Sequence, residues 1–297
     1  MTYENVLKEI AESDDRLIVM TAENRAAIRN LPAVLGKRFI DVGIAEQTMI
    51  GAASGLALRG RIPVTHALAT FLTLRAFEFI RSDVGIANLP VKLVGGVAGF
   101  LSDANGPTHQ AIEDISLMRG IPNMKIFCPS DSVELAMGIK EIILDPSPWY
   151  IRYNPNPAVI EHQEFSIGKA EIISEGTDIA IFTYGFMLGE ALKAKTILES
   201  SGKSVRLINL RTLKPVDETE ILRAAAEVKM MVTIEDHFLT GGLFSIIGEI
   251  FLKHQVMAKV LPIALENRWF KPALLNYVLE FEGFTGKQIA EKISQFY

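Results

Sequence analysis

The stretch from Lys37 to Gly60 places a single acid between two structural patterns. The run "RFIDVGI" has the β-branched and apolar residues of a buried strand, and "EQTMIGAASGLAL" has the small and apolar residues of a helix. Glu46 opens that helix at the carboxyl end of the strand, where open α/β sheets bind their ligands, and is therefore a candidate for ligand binding or proton exchange. The alternative is an acid that only interacts with the helix dipole, which contributes about 0.3–1 kcal/mol. The five small residues at 51–55 would let another backbone pack closely, for example across a subunit interface.

A second pattern lies in "ATFLTLRAFEFIRSDVGIANLPV", residues 69–91. Phe71, Leu74 and Phe77 recur at helical spacing. Such a stripe is typical of a buried helix face, and it is also typical of an apolar slot whose aromatic faces hold a flat heterocycle. Both interpretations stay open on spacing alone.

The third candidate is His109, in "GFLSDANGPTHQAIEDISLMRGIPN". Gly106-Pro107 predicts a turn, and Thr108 is expected to cap a helix over 110–118. His109 would then lie at a helix start after a strand, again at the ligand-binding edge. Imidazole exchanges protons with hydroxyls and carbonyls near neutral pH, although a lone histidine is also commonly structural.

Other candidates favour structural interpretations. His66, in "PVTHALATF", either faces the site or caps a loop. Cys128 lies in an apparent strand and is expected to be a small core residue. In the second half of the chain, Gly241-Gly242 is expected to start a helix and to pack against the first domain.

The elements that must position these residues alternate along the chain. Short apolar runs rich in β-branched residues are followed by longer helical patterns, which predicts parallel sheets covered by helices. In the first half we predict strands at 16–22, 38–44, 90–99, 124–130 and 148–153, and helices near 4–12, 46–59, 71–87, 110–118 and 131–144. In the second half we predict strands at "DIAIFTYG", "SVRLINLRTLKP", "MMVTIEDH" and "KVLPIAL", and helices at "LGEALKAKTILESSG", 217–227, 241–255 and 285–296.

Bulk composition narrows the class of protein. The chain has 297 residues, which favours two domains, and 49% hydrophobic residues, which allow a large core. A net charge of -5 argues against a nucleic-acid or polybasic membrane surface. A single cysteine suits a reducing compartment, and neither a signal peptide nor an apolar run of about 18 residues is present. We expect a soluble, cytoplasmic protein.

Four stretches together resemble the transketolase and 1-deoxyxylulose-5-phosphate synthase family of thiamine-diphosphate enzymes. They are "DVGIAEQ", "TFLTLRAFEF", "NGPTHQAIEDISLMRGIPNMKIFCPSDS" and "VTIEDHFLTGG". The resemblance covers nearly the whole chain but only two domains of the family. It implies two three-layer α/β domains, each with a mainly parallel sheet: a pyrimidine-binding domain over 1–160, a linker over 161–176 and a C-terminal domain over 177–297.

The same resemblance implies cofactor-binding roles. Glu46 matches the acid that hydrogen-bonds N1′ of the aminopyrimidine and favours the imino tautomer, whose nitrogen takes the C2 proton of the thiazolium. Phe71 and Phe77 match positions that line the pyrimidine slot, and Leu74 lies at a third such position. Glu23 aligns loosely with an acid near the cofactor.

Substrate-binding roles follow from the resemblance as well. His109 matches a histidine at the hydroxyketone end of the donor, where it would hydrogen-bond and transfer protons. Arg152 matches a phosphate-binding arginine near the acceptor mouth, the alternative being a surface or domain-bridging arginine. Asn105 replaces an aspartate that contacts a substrate hydroxyl, and Val97 replaces a histidine. An arginine that the family has near the N-terminus is also absent. With fewer phosphate ligands, either the substrate is a differently substituted sugar or the partner subunit recognises the phosphate.

One motif of the family is missing. Members hold the cofactor's diphosphate through a metal bound by "GDG…N" in another domain, and this sequence contains no "GDG". The resemblance therefore implies the C-terminal subunit of a split transketolase, which moves a two-carbon ketol group from a ketose or its phosphate to an aldose. A separate N-terminal transketolase subunit would hold the diphosphate and Mg²⁺, with two copies of each chain in a heterotetramer. No metal site is predicted on this chain.

Two further hypotheses stay open. The chain could act on a 2-oxo acid, as a 1-deoxyxylulose-5-phosphate-synthase-like or 2-oxoacid-dehydrogenase beta-type subunit. Alternatively it is a non-catalytic scaffold whose site has decayed, which the Val97 and Asn105 departures would suit.

Overall fold

Six of the seven described strands in the first sheet come from the first half of the chain. The structure, a computed structural model, describes residues 1–266 and 268–297. The strands are β1 (Leu17–Thr21), β2 (Phe39–Asp41), β3 (Ile62–Leu68), β4 (Lys92–Gly96), β5 (Lys125–Phe127) and β6 (Trp149–Arg152). They are parallel and lie in the order β5–β6–β4–β3–β1–β2. Because helices cover both faces, β1, β4 and β6 are buried along their whole length.

Helices cover the two faces of this sheet in different ways. On one face lie α1 (Tyr3–Ser13), α2 (Leu31–Leu35) and α6 (Ser132–Leu144). The other face carries α3 (Glu46–Leu58), α5 (Asp114–Arg119) and a segment that we call the aromatic helix. The aromatic helix consists of two π-helical turns, Phe71–Arg75 and Ile80–Gly85, on either side of α4 (Phe77–Phe79). Widened turns of this kind are frequent at functional sites.

The second half of the chain forms a smaller sheet. Its strands are β7 (Glu171–Ser174), β8 (Ile179–Thr183), β9 (Val205–Asn209), β11 (Met230–Phe238) and β12 (Val260–Leu265), in the order β12–β11–β8–β9–β7, with β7 antiparallel. Its helices are α7 (Leu188–Ser200), α8 (Glu218–Glu227), α9 (Leu243–His254), α10 (Leu275–Glu282) and α11 (Gly286–Phe296). Strand β10 (Thr212–Lys214) leaves this half and pairs antiparallel with β5 of the first sheet. No helix in the described ranges is long and apolar enough to cross a bilayer.

The predicted fold class, two α/β domains with mainly parallel sheets, is confirmed, but some elements differ. Strand β3, a central strand of the first sheet, was not predicted, because Pro63 and polar Thr65 and His66 interrupt its apolar pattern. Strand β7 lies inside the segment predicted to be a linker. The helix expected over 110–118 begins only at Asp114.

Two glycines show how closely the halves pack. A Cβ on Gly241 would lie 2.4 Å from the Cβ of Ser116, in α5. Gly242 is the N-cap of α9. Both expectations for this pair are therefore confirmed: it starts a helix and packs against the first domain.

A buried charge network lies where the two halves meet. His162 donates to Asp131, at the start of α6, and to Glu171, in β7, at 2.6 and 2.9 Å. Arg211 binds Glu134 of α6 and Glu171, both at 2.7 Å. Burial alone would lower the pKa of His162, but its hydrogen bonds to Asp131 and Glu171 raise that pKa to about 10. The imidazole is therefore a cation that both halves hold.

We expect His162→Gln to lower the free energy of unfolding by about 3–5 kcal/mol near pH 7, because buried Asp131 and Glu171 lose their shared cation. The folded pKa lies above the ordinary value of about 6.5, so the contribution is complete below that pH and is lost as pH rises through about 10. Urea unfolding at several pH values should show the two proteins converging towards pH 10.

The matched control is Lys195→Gln, which removes an ion pair with Glu199 one helical turn away on α7. Its effect should stay near 0.3–0.5 kcal/mol. A His162→Gln effect of that same small size would show that the network does not hold the halves together.

Candidate active site

A row of four side chains joins the main sequence candidates. Glu46 opens α3 and is 2% exposed. Its Oε2 accepts a hydrogen bond of 2.9 Å from Nη1 of Arg75. The Arg75 guanidinium lies over the ring of Phe71, 4.2 Å from the centroid. The Phe71 and His109 rings pack edge to face, with centroids 5.0 Å apart. We call these four residues the Glu46–His109 row.

The backbone of the aromatic helix explains part of this row. Phe71 and Arg75 begin and end the same π-helical turn, so their side chains leave one face of the helix. Glu46 comes from the neighbouring helix α3, whose N-cap residue, Ala45, provides no side-chain cap. The carboxylate therefore lies at the N-terminus of α3 and next to a guanidinium.

His109 lies in a turn, which corrects the predicted helix start. Its backbone N–H donates to the carbonyl of Gly106 at 2.9 Å, and Gly106 has a φ of +81°, a conformation that favours glycine. The hydroxyl of Ser102 donates to the His109 carbonyl at 2.7 Å. Thr108 Oγ1 lies 2.9 Å from Nδ1 of His109 and helps to orient the half-buried imidazole.

Among the contacts that the structure describes, none links the other candidates for cofactor or substrate binding to the Glu46–His109 row. These candidates are Leu74, Phe77, Glu23 and Asn105. Leu74 is 38% exposed, and half-buried Phe77 packs against the core of the first domain. Glu23 is exposed on the loop after β1, with a φ of +62°. Asn105 is exposed at the end of the turn Gly99–Asn105.

Arg152 is not at an open substrate mouth, which corrects the expectation for this residue. It is 5% exposed, and its guanidinium binds Asp114 at 2.8 and 2.9 Å and Asp236 at 2.6 Å. The space beside it is about 10 Å³, which holds at most one water molecule and no phosphate. The domain-bridging alternative describes Arg152 correctly.

Burial and the Arg152 guanidinium have opposite effects on the pKa of Asp114 and of Asp236. Burial alone would raise the pKa of Asp114, but the Arg152 guanidinium lowers that pKa overall. Burial raises the pKa of Asp236 to about 6, against the opposing effect of Arg152. The backbone of Gly99 lies close to the Asp236 carboxylate. Only glycine fits there, because a Cβ at this position would lie 1.8 Å from a carboxylate oxygen of Asp236.

A cavity of about 480 Å³ lies at the same edge of the first sheet as the row. Its walls include Asn24 after β1, Leu68 at the end of β3, Gly96 at the end of β4 and Tyr153 after β6. Ligand sites of α/β proteins lie at the carboxyl ends of parallel strands, and the volume is within their usual range.

His66 belongs to the inner wall of this cavity and has structural contacts. Its Nε2 lies 2.8 Å from the hydroxyl of Tyr3, and its Nδ1 lies 3.1 Å from the carbonyl of Met20. Burial lowers the pKa of His66 to about 4, so the ring is neutral at neutral pH. The imidazole therefore fastens α1 to the sheet.

Arg75 is the member of the row that sequence reasoning missed. The only available signal was its spacing of four residues from Phe71, within a helical segment that follows Glu46 along the chain. Spacing predicts that Phe71 and Arg75 share a face, but it does not show that α3 places Glu46 against the same face.

Comparisons with known proteins match both halves of the chain. Residues 1–156 match the family described as "Transketolase, pyrimidine binding domain", and residues 168–289 match "Transketolase, C-terminal domain". A Clostridium sp. (strain MSTE9) protein named 6-deoxy-6-sulfo-D-fructose transketolase subunit SqwH is 36% identical over 293 residues, which cover 97% of this chain and 91% of that protein.

Two further similarities differ in how much of the other protein they cover. The 1-deoxy-D-xylulose-5-phosphate synthase of Dictyoglomus thermophilum (strain ATCC 35947 / DSM 3960 / H-6-12) is 36% identical over 98% of this chain, which spans only 48% of that enzyme. A solved structure described as "Split gene transketolase, inactive beta4 tetramer" superposes with a TM-score of 0.90 at 30% identity, covering 99% of this chain and 96% of the other.

We expect Arg152→Met to lower the free energy of unfolding by about 3–5 kcal/mol, because Asp114 and Asp236 would remain buried without a counter-charge. The control is Arg119→Met, which removes a cross-domain pair with Glu249 at the surface and should change stability by less than about 1 kcal/mol. Urea denaturation of both variants provides the measurement. Equal, small losses would mean that the Arg152 guanidinium is available to a ligand.

Proposed function

The chain belongs to the transketolase family, and on that premise we propose that it is the C-terminal subunit of a split, thiamine-diphosphate-dependent transketolase. In this proposal the assembled enzyme transfers a two-carbon ketol group from a ketose to an aldose. The observation that carries the proposal is the Glu46–His109 row, in which a buried carboxylate, a guanidinium, an aromatic ring and an imidazole follow one another.

The contacts of Arg75 support a role for the row in holding the ring end of such a cofactor. The planar guanidinium stacks on Phe71 while donating an N–H to Glu46. An aminopyrimidine is also planar and, when protonated on the ring, also offers an N–H. The Arg75 side chain is 41% exposed, so we infer that it swings aside towards solvent when the ring enters.

The chemistry that bound thiamine diphosphate supplies is that of an electron sink for breaking the bond beside a carbonyl. The residues of this chain act around it. Glu46 would hold a proton at one ring nitrogen, and Phe71 would fix the plane of the ring. His109, in contact with Phe71, would donate hydrogen bonds to substrate oxygens and exchange protons with them.

Contacts with another subunit are also part of the proposal. Ile44 precedes α3 and Leu58 ends it, and their side chains are 70% and 71% exposed, while Leu74 of the aromatic helix is 38% exposed. Gly51 and Gly55 have open space where a side chain would project, so another backbone can approach α3. Exposed apolar side chains at both ends of a helix with such space suit burial between subunits.

We propose that the partner is an N-terminal subunit with a "GDG…N" motif, which binds the diphosphate and Mg²⁺. Two copies of each chain would form a heterotetramer in the cytoplasm. The absence of "GDG" from this sequence supports the division. The family also acts through single chains about twice as long, as the 48% coverage of the Dictyoglomus synthase indicates.

The similarity to that synthase favours a second candidate function. A synthase-like subunit would accept a 2-oxo acid such as pyruvate as the donor in place of a ketose. Pyruvate and a ketose, each offered with the same aldehyde acceptor, distinguish the two functions. Failure with every donor in an assembled complex would favour the non-catalytic scaffold.

We expect turnover to require both subunits. The purified chain alone should show no ketol transfer above background, and mixing it with the "GDG"-bearing subunit, thiamine diphosphate and Mg²⁺ should restore transfer. The control mixture contains both subunits without the cofactor. Ketol transfer by this chain alone would refute the split arrangement.

We expect Glu46→Gln to slow exchange of the cofactor's C2 proton in D₂O by about 10²–10⁴-fold in the assembled enzyme, the range typical of a lost proton-transfer group. Proton NMR of bound thiamine diphosphate measures this rate. Far-UV circular dichroism should be unchanged, because Glu46 lies at a helix start and not in the core of the sheet.

Glu78→Gln is the matched control for that variant. Glu78 is an exposed acid on the aromatic helix, bonded to Ser82 at 3.0 Å. Its C2 exchange rate should equal that of the unaltered enzyme. Normal exchange in both variants would remove Glu46 from proton transfer.

A further inference from the structure

The cavity at the edge of the first sheet has few charged groups for a site that would bind sugars. Leu68, Val94, Val97 and Leu101 form apolar walls, and Leu275 of α10 closes the cavity from the second domain. The cavity therefore includes side chains from both halves of the chain and is already shaped without another subunit.

No lysine or arginine is among the described residues that line this cavity. Asp103 is the acid in its wall, and His66 is neutral because burial lowers the pKa of its imidazole to about 4. Nearby Arg152 is already bound by Asp114 and Asp236, and Arg25 is bound by Asp41. A phosphate or sulfonate in the cavity would lose water and meet a carboxylate without a counter-charge.

Val97 projects from an unusual backbone conformation in the cavity wall. Its φ is +51°, in the left-handed region, which a β-branched residue rarely adopts. Such conformations persist only where the surrounding structure imposes them, and they concentrate at ligand sites. Because Val97 directly follows β4, the strained turn fixes an apolar side chain at the ligand-binding edge.

The cavity is connected to the Glu46–His109 row through one short segment. Ser102 donates to the His109 carbonyl at 2.7 Å, and its two neighbours, Leu101 and Asp103, line the cavity. A molecule that reaches His109 with one end is therefore next to a cavity that can receive its other end.

We propose that this cavity receives the end of the sugar substrate that is remote from the reacting carbonyl, and that it selects an uncharged end over a phosphate or a sulfonate. The proposal rests on the proposed function and specifies its substrate class as unphosphorylated ketoses, including those with a terminal methyl group. Val97 and Asp103 are the specificity-determining residues.

The test uses the assembled enzyme and three donors of equal carbon number: 6-deoxy-D-fructose, D-fructose and D-fructose 6-phosphate. With glycolaldehyde as the common acceptor, kcat/KM for either uncharged donor should exceed that for the phosphate at least tenfold. Ligand-observed NMR of the same sugars should show the same order of binding, independently of turnover.

The possible outcomes separate the two proposals. Turnover with tighter binding of the phosphate would overturn the substrate class and leave the proposed function standing. Binding of the uncharged sugars without any turnover would support the cavity assignment and refute the function. Absence of binding by all three sugars would overturn the cavity assignment.

Variants make the test specific to the cavity wall. Asp103→Asn should raise the ratio of phosphate to uncharged-donor kcat/KM at least threefold, and Val97→Arg should raise it further. The control, Asp83→Asn, alters an exposed acid on the aromatic helix and should leave the ratio unchanged. If Val97→Arg does not fold, Asp103→Asn alone tests the proposal. An unchanged ratio of phosphate to uncharged-donor kcat/KM in Asp103→Asn would mean that the cavity does not contact the sugar.

Discussion

A buried guanidinium bound by two carboxylates from different halves of the chain is the constraint on which this site depends. Arg152 ends β6, Asp114 begins α5 and Asp236 lies in β11, so one cation fixes three elements at once. Because the pair is desolvated, removing the cation would leave uncompensated charge, and the halves cannot slide without that penalty. The turn with Gly99 packs against Asp236 and leads into the segment that presents His109. The position of the imidazole is thus linked to a buried ion pair between the two halves of the chain.

The row and the cavity are two parts of one edge because the strands are parallel. In such a sheet all carboxyl ends emerge on the same side, so residues after β1, β2, β3, β4 and β6 converge there although they are far apart in sequence. The row and the cavity lie on different faces of the sheet. Helix α3 and the aromatic helix, on one face, hold Glu46 and Phe71, and the cavity extends towards α1 on the other face, where His66 contacts Tyr3.

Local pattern predicted most of the sheet and the principal acid, since continuous apolar runs and small-residue helices are properties of short segments. It did not predict β3, because Pro63 interrupts the local pattern of this strand. Pairing with β1 on one side and β4 on the other stabilises the strand. It also misplaced Arg152, because an arginine becomes a structural cation only when a partner such as Asp236, 84 residues away, arrives beside it. Local pattern did not identify Arg75 either, because its partner Glu46 belongs to another helix. Burial and pairing of charges are tertiary properties.

The distribution of charge at this edge bears on which part of the chemistry the chain can perform. Arg25, Arg75 and Arg152 each pair with a carboxylate of the same chain, and the walls of the cavity include Asp103 and several apolar side chains. Such a surface can accept a planar ring that donates an N–H and a sugar end without charge. A diphosphate needs cations or a metal, because anions that lose water without counter-charges are strongly disfavoured. The electrostatics of the chain therefore favour the proposal that the cofactor's anionic tail is bound by a second polypeptide, with the ring and the sugar left to this one.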